Sequence, residues 1–441
     1  MLDPITGDQD QVTNAVQNAA QAFQQNNAVV QEKLQQAFPD ADQRENARQQ
    51  IVKSLNHASN VVQKPSDADW YLPRDQMTAI AQSAMNVHAM KSAAPVAAAA
   101  GAGAPAIAQA AVEQFGPLDP GWIECVVDGF KTLFAGKAKF VQHQNLNDFL
   151  YAIPKTIAIV GDWGAHNDSA QRVADQIRAA KPDMLIHLGD IYYAGQDNEA
   201  QQALKMWPLA DPDTGAIPPG SSFSLNGNHE MFSGGHAYFG RTFEAFGQKA
   251  SYFGLRNDNW QILAFDSAYI EHRLLPPDEA QQVDARLKSQ WDWLVDKMQK
   301  SKLPTILLSH HEPVSAFATE FADGQNLRAD YQKFVKAAGR GVFGWIFGHE
   351  HRCTIYDDPN VPYFARLIGH GCIPHAPSPA DQQPEPGCTA FSSMNNRAND
   401  DGDAVAGFAL LTFNGAQIDI KYIDEDGKVF KDEIWQAPLP D

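Results

Sequence analysis

The sequence predicts an α/β protein preceded by a helical region, and three observations carry that prediction. From Lys155 onward, short apolar runs alternate with amphipathic stretches, the βαβ rhythm of parallel strands joined by right-handed crossovers. Before residue 90, apolar residues recur at helical spacing. Between the two lies Ala93–Pro105 (AAPVAAAAGAGAP), low in complexity and linker-like. The expected organisation is a helical N-terminal region over 1–92, a linker over 93–108, a helical lead-in over 109–150 and an α/β domain over 151–441.

In Gln11–Phe38, Val12, Val16, Ala19, Phe23, Val30 and Leu34 form a weak apolar stripe among Gln and Asn. Such a stripe packs on a neighbouring helix or a partner. Further helices are expected over Gln43–Gln63 and Asp75–Ser92, and Trp122–Phe134 is amphipathic. Strand Thr156–Val160, helix Ser169–Lys181 and strand Met184–Leu188 make the first βαβ unit, with Pro182-Asp183 as its turn. Helices then fit Asn198–Trp207, Asp278–Lys300 and Ala329–Ala338, and a strand fits Gln261–Phe265. At the end, Gly407–Phe413, Gln417–Tyr422 and Lys428–Trp435 read as strands joined at Asn414-Gly415 and Asp426-Gly427, both strong hairpin turns.

The 441 residues are enough for two domains. At 44% hydrophobic and 20% charged the chain reads as globular, and its net charge of −19 disfavours nucleic acid polymers. Four cysteines, Cys125, Cys353, Cys372 and Cys388, are too few for a disulfide scaffold; Cys372 and Cys388 are placed to pair or to stay as thiols. Met1–Asp10 lacks the basic and apolar parts of a signal peptide, which makes the cytoplasm the default expectation. Ser92–Val112 is uncharged but too rich in Ala, Gly and Pro to span a membrane, so no span is expected.

Five segments end a strand-like apolar run in a metal-binding residue type: Thr156–Asp162, Met184–Asp190, Phe223–His229, Thr305–His310 and Trp345–His351. In an open α/β sheet, ligands bind outside the carboxyl ends of the strands. Asp, Asp, Asn-His, His and His-x-His gathered there are the donor set of a two-metal hydrolytic centre. A lone Asp at a strand end is ordinarily a turn former or helix cap. Two Gly-Asp pairs together with three further motifs reverse that preference. On an extended segment His349 and His351 would share a face, about 7 Å apart along the chain. His310 and His311 compete for one position: the strand favours His310, while Pro313 stands two residues after His311.

Gly161-Asp162-Trp163-Gly164, Gly189-Asp190-Ile191-Tyr192-Tyr193, Gly227-Asn228-His229-Glu230, Ser309-His310 and Gly348-His349-Glu350-His351 resemble the calcineurin-like metallophosphoesterases. Tyr193, three residues after the second Asp, resembles the purple acid phosphatase branch in particular. The resemblance covers roughly residues 153 to 436. It implies a four-layer α/β/β/α sandwich, with two mixed sheets face to face, helices outside and the active site at one sheet edge.

It also implies roles. Asp162, Asp190, Tyr193 and His351 would hold the first metal, and Asp190, Asn228, His310 and His349 the second, with Asp190 as the bridge. Many relatives carry a His where this chain has Gly164, and Tyr193 would supply the missing donor. Phenolate is a hard anionic ligand, which suggests Fe(III) in the first site; Fe, Zn or Mn would fill the second. His229 would contact the substrate phosphate or protonate the leaving oxygen, with Glu230 orienting it or standing behind it as a supporting residue. His166, His236 and His370 are weaker substrate-binding candidates, better explained singly as solvated or structural histidines. His187, within a strand, reads as core.

The function expected is hydrolysis of a small phosphate monoester by in-line attack of a metal-bound hydroxide. The alternatives are a small-diester phosphodiesterase of the same fold and a non-catalytic binding scaffold. The N-terminal helices are candidates for dimerisation or docking.

Overall fold

The structure, a computed structural model, describes residues 20–21, 23–25, 27–63, 137–164, 168–192, 195, 197–270, 272–316, 324–359, 361–372, 391–393, 397–399 and 404–438. The expected helices at Asp75–Ser92 and Trp122–Phe134, the linker, and Cys125 and Cys388 lie outside these residues. The chain divides into two compact units. One spans Met1–Lys137 with Tyr193–Glu199 and Phe232–Gly234; the other comprises Ala138–Tyr192, Ala200–Met231 and Gly235–Asp441.

In the first unit, helices α1 (Asn27–Ala37) and α2 (Ala41–Gln63) pack together. Asp40 caps α2, its Oδ1 accepting from Gln43 N at 2.9 Å. Of the expected stripe, Phe23, Val30 and Leu34 are buried, and α2 buries Ala47, Ile51 and Leu55 at four-residue spacing. Burying each larger side chain contributes about 1.5–3 kcal/mol, more than propensity gives a helix this polar.

The second unit holds two sheets. In chain order its strands are β1 (Leu150–Ala152), β2 (Thr156–Val160), β3 (Met184–His187), β4 (Ser222–Ser224), β5 (Phe253–Arg256), β6 (Gln261–Ala264) and β7 (Thr305–Leu308). There follow β8 (Gly344–Phe347), β9 (Cys353–Tyr356), β10 (Phe364–Ile368), β11 (Phe391–Ser393), β12 (Gly407–Asn414), β13 (Gln417–Asp424) and β14 (Val429–Gln436). One sheet runs β1-β5-β6-β7-β8-β10-β9-β11 and the other β14-β13-β12-β2-β3-β4. Strands β2, β3 and β4 are parallel, with Val160 opposite His187, and β6, β7 and β8 are parallel, with Leu308 opposite Ile346.

Alternation along the strands builds the layers. Ile306, Leu308 and Ile346 share one apolar core with Ile157, Ile159, Ile186 and Leu411 of the other sheet, so the sheets pack face to face. Leu307, Trp345 and Phe347 point the opposite way, into a second core with Trp291, Leu294, Leu327 and Phe334. Those last four come from helices α8 (Lys288–Lys300) and α9 (Gly324–Ala338). Helix α3 (Asp168–Ala180) buries Val173, Ala174 and Ile177 and lies against β12 and β13. The four-layer sandwich is therefore present, with helices on both outer faces.

The single helix expected over Asp278–Lys300 is broken. Asp284 is extended (φ −157°) and its carboxylate caps Arg286 N at 3.0 Å, separating Pro277–Val283 from a 3-10 turn (Ala285–Leu287) and α8. A short side chain that bonds to its own backbone competes with helix, and periodicity does not register that competition. Among the described residues, no helix is long and apolar enough to cross a membrane.

Candidate metal centre

The carboxyl ends of β2, β3, β4, β7 and β8 converge, and each delivers its motif through a tight turn. Asp162 (φ 59°), Asp190 (φ 58°) and His349 (φ 75°) all adopt the left-handed conformation that costs a non-glycine residue energy. The two Gly-Asp turns bond to each other, Asp162 N donating to Gly189 O and Trp163 N to Asp190 O, both at 3.0 Å. They thus extend the β2–β3 ladder past the strands. Gly227 has no room for a side chain: a Cβ there would stand 2.1 Å from Asp190 Oδ1. Gly189 sits at φ 111°, closed to other residues.

Two donor clusters result, and they share one residue. Asp162, Asp190 and His351 form one, and Asp190, His310 and His349 the other, each with ligand atoms within 4.8 Å of one another. His351 Nε2 is 3.5 Å from Asp162 Oδ1, and His310 Nε2 is 3.4 Å from Asp190 Oδ2. Asn228 Oδ1 lies 2.8 Å from His310 Nε2 and 3.0 Å from His349 Nδ1. His229 N donates to Asp190 Oδ1 at 3.0 Å, and its Nε2 is 3.8 Å from Asp190 Oδ2. Six of the seven expected metal ligands, and His229, are therefore brought together. The seventh, Tyr193, lies outside the described residues, as does His166.

The donor set fits a cation. His310 Nδ1 faces Leu188 O at 3.1 Å, so it carries a proton, and when the ring is neutral Nε2 presents a lone pair. That lone pair meets Asn228 Oδ1 and Asp190 Oδ2, two further acceptors. Asp190 Oδ2 is buried and accepts no hydrogen bond among the described residues. Acceptors facing one another in the dark of a core need a shared positive charge.

Proton affinities carry the same message. Burial and the neighbouring Asp190 carboxylate leave Asp162 well above the ordinary carboxylate range. Burial opposes charge on Asp190 too, yet the imidazoles of His310 and His229 hold it below that range. Burial disfavours the His310 cation, but Asp190 and Asp162 raise it to about 10. Protons thus occupy the places a cation would take.

Three expectations require correction. Glu230 does not orient His229. Its buried carboxylate accepts from the backbone N–H of Asp190 (2.8 Å), Ile191 (2.7 Å), Tyr192 (3.3 Å) and Gly227 (2.6 Å) and so clamps the turn that presents Asp190. Burial and Asp190 push it up to about 8, against the pull of those donors. The His349-Glu350-His351 segment is not extended: the left-handed His349 and the Glu350 N to Gly348 O bond make a turn, which directs His349 to Asn228 and His351 to Asp162. His370, offered as a weak substrate-binding candidate, is buried, its ring against Phe430 and its carbonyl accepting from Gly407 N. His236 is exposed.

His310 and His311 separate cleanly. His310 faces Asp190 and Asn228, whereas His311 Nδ1 faces Ser267 Oγ at 3.1 Å. Two residues near the site gave no signal in the sequence. Asp266 accepts from Asn226 Nδ2, Ser251 Oγ and the amides of Ala268 and Tyr269, tying the loop after β4 to that after β6. His272, an unremarkable loop histidine, is buried with its ring centroid 4.0 Å from that of His311 and 5.1 Å from that of His349.

Residues 155–353 match the calcineurin-like phosphoesterase family. No curated protein matches the chain in sequence. Among solved structures, it is similar to GAP50, the anchor in the inner membrane complex of Plasmodium, with 12% identity over 64% of this chain and 89% of that one, TM-score 0.47. It is also similar to the purple acid phosphatase PPD1 from yellow lupin seeds, with 16% identity over 65% of this chain and 54% of that one, TM-score 0.44.

Proposed function

We propose that this chain is a calcineurin-like phosphoesterase, a two-metal phosphate monoesterase of the purple acid phosphatase kind. The observation that carries the reading is Asp190, one carboxylate common to two donor clusters. Asp162, Asp190 and His351, joined by Tyr193, would hold one cation; Asp190, Asn228, His310 and His349 would hold the other. Bound there, the pair would supply Lewis-acid chemistry to a phosphoryl group and its attacking water.

The chain's own residues do the rest. Asp190, common to both donor clusters, would offset the repulsion between two cations held there. Leu188 O fixes the His310 tautomer so that Nε2 stays free to ligate. Asn228 adds a neutral oxygen. His229 is held beside Asp190 by its own backbone N–H, and its imidazole would hold the proton that passes to the leaving oxygen. Glu230 keeps Asp190 in its strained turn at no cost in mobility. The acidic surface suits a small ester better than a polyanion.

The test is the visible spectrum and metal content of aerobically purified protein, read with a panel of phosphate monoesters and diesters. A charge-transfer band with about one iron and one further metal per chain supports Tyr193 on Fe(III). Colourless protein with two zinc or manganese ions removes iron from the reading. Turnover of diesters in preference to monoesters overturns the monoester assignment.

A further inference from the structure

A third group of potential ligands stands beside the two described, and the proposed reaction makes no use of two of its members, His272 and His311. His272, His311 and His349 offer ligand atoms all within 4.8 Å of one another. The rings are tightly grouped, with centroids 4.0 Å apart for His272 and His311 and 4.5 Å apart for His311 and His349. His272 and His311 are both buried, at 4% and 0% exposure. No carboxylate belongs to the trio itself, which distinguishes it chemically from the two Asp-containing clusters.

The surroundings of the trio are those of an oriented site. His311 Nδ1 is engaged with Ser267 Oγ at 3.1 Å, which leaves Nε2; that atom is buried with no hydrogen-bond partner among the described residues. Ser267 also accepts from His311 N at 3.0 Å, so ring and backbone are held by one hydroxyl. Behind His272 stands the buried carboxylate of Glu312, its Oε1 3.9 Å from His272 Nδ1. A carboxylate this near raises the basicity of an imidazole, and at 3.9 Å Glu312 acts on His272 by its charge rather than through a hydrogen bond. Two buried imidazoles and a half-buried third, grouped at this range, are a set that a cation with vacant coordination positions would join.

We infer that His272, His311 and His349 form a third cation site, adjoining the candidate metal pair and taking a borderline divalent ion of the Zn²⁺ class. An all-imidazole donor set selects such an ion over Mg²⁺ or Ca²⁺, which require oxygen ligands. The site stands on its own three rings and not on the proposed reaction; only the sharing of His349 with the pair rests on that reading. An ion here and one in the Asp190–His310–His349 cluster draw on the same imidazole, so occupancy of one bears on the affinity of the other.

The test uses the full-length protein, stripped with a chelator and dialysed against zinc alone. Wild type is expected to retain one more equivalent per chain than His272→Ala or His311→Gln. The same one-equivalent loss is expected when His272→Ala is added to Asp190→Asn, in which the pair is impaired. That background separates the two ideas: if Asp190→Asn binds as much zinc as wild type, the two-metal reading fails while the third site stands. Zinc anomalous diffraction from wild-type crystals gives an answer independent of any variant's folding. A peak at about 2.0–2.1 Å from both His272 and His311 supports the site. Equal zinc content in wild type and both variants, or no anomalous density between those rings at saturating zinc, overturns it.

Discussion

The six-stranded sheet has two ends built on opposite rules. At one edge, β12, β13 and β14 form a regular antiparallel meander, with Leu411 opposite Ile420 and Phe413 opposite Ile418, and alternate residues buried. At the carboxyl ends of β2 and β3, residues with positive φ, buried carboxylates and facing acceptors accumulate within one turn of the strands. The meander is self-consistent without help from any other molecule. The strand ends set carboxylates and other acceptors face to face, and Glu230 and the neighbouring turns over-determine that arrangement. Stability and function are thus spatially separated on a single sheet, and substitutions should separate them too.

The largest effect is expected from Asp190→Asn. It should lower kcat/KM by more than about a thousandfold, several kcal/mol of lost transition-state stabilisation, and reduce metal content, with little change in circular dichroism. Retention of full activity would sink the two-metal reading. Next, His229→Ala should cost about 10²- to 10³-fold in kcat while metal content stays at the wild-type level, which metal analysis beside steady-state kinetics checks. An equal loss of metal would make His229 a ligand instead.

On the other side of the comparison, Leu411→Ala should destabilise the fold by about 2–5 kcal/mol in denaturant titrations and leave kcat at low temperature unchanged. A large fall in kcat there would show the two ends to be coupled after all. A finer effect concerns His187, which lies under the Asp190 turn with Nδ1 accepting from Gly189 N at 3.2 Å. Burial lowers its proton affinity to about 3 from the usual 6.5. Between those values the unfolded chain binds the extra proton, so this contribution is complete above pH 6.5 and is lost as pH falls toward 3. The slope is about 1.4 kcal/mol per pH unit. His187→Gln should flatten the dependence of Tm on pH between 4 and 6.5; an unchanged slope would place the titration elsewhere.

Much of this was readable from residue order. The boundaries of β2 and β7 and the α/β rhythm follow from apolar runs closed by Gly or Ser, because a strand covered on both faces admits few polar residues. The candidate ligands were legible for the same reason: each lies within a few residues of the end of such a run. The break at Asp284 escaped notice, since apolar periodicity continues through it while the backbone does not. The role of Glu230 was misread because its partners are amides 38 to 40 residues away as well as its near neighbours.

The sequence by itself determined the fold class, the family resemblance and the strand ends from which the Asp, Asn and His donors project. Those depend on local order, and local order is what side-chain periodicity encodes. Only the tertiary structure decided that His310 rather than His311 faces Asp190, and that Asp190 belongs to both donor clusters. It alone brought His272 from a loop of its own to within ring contact of His311 and His349. Such neighbours are made by packing one sheet on another and by the loops at adjacent strand ends, and no spacing along a single chain records which side chains that folding will bring together.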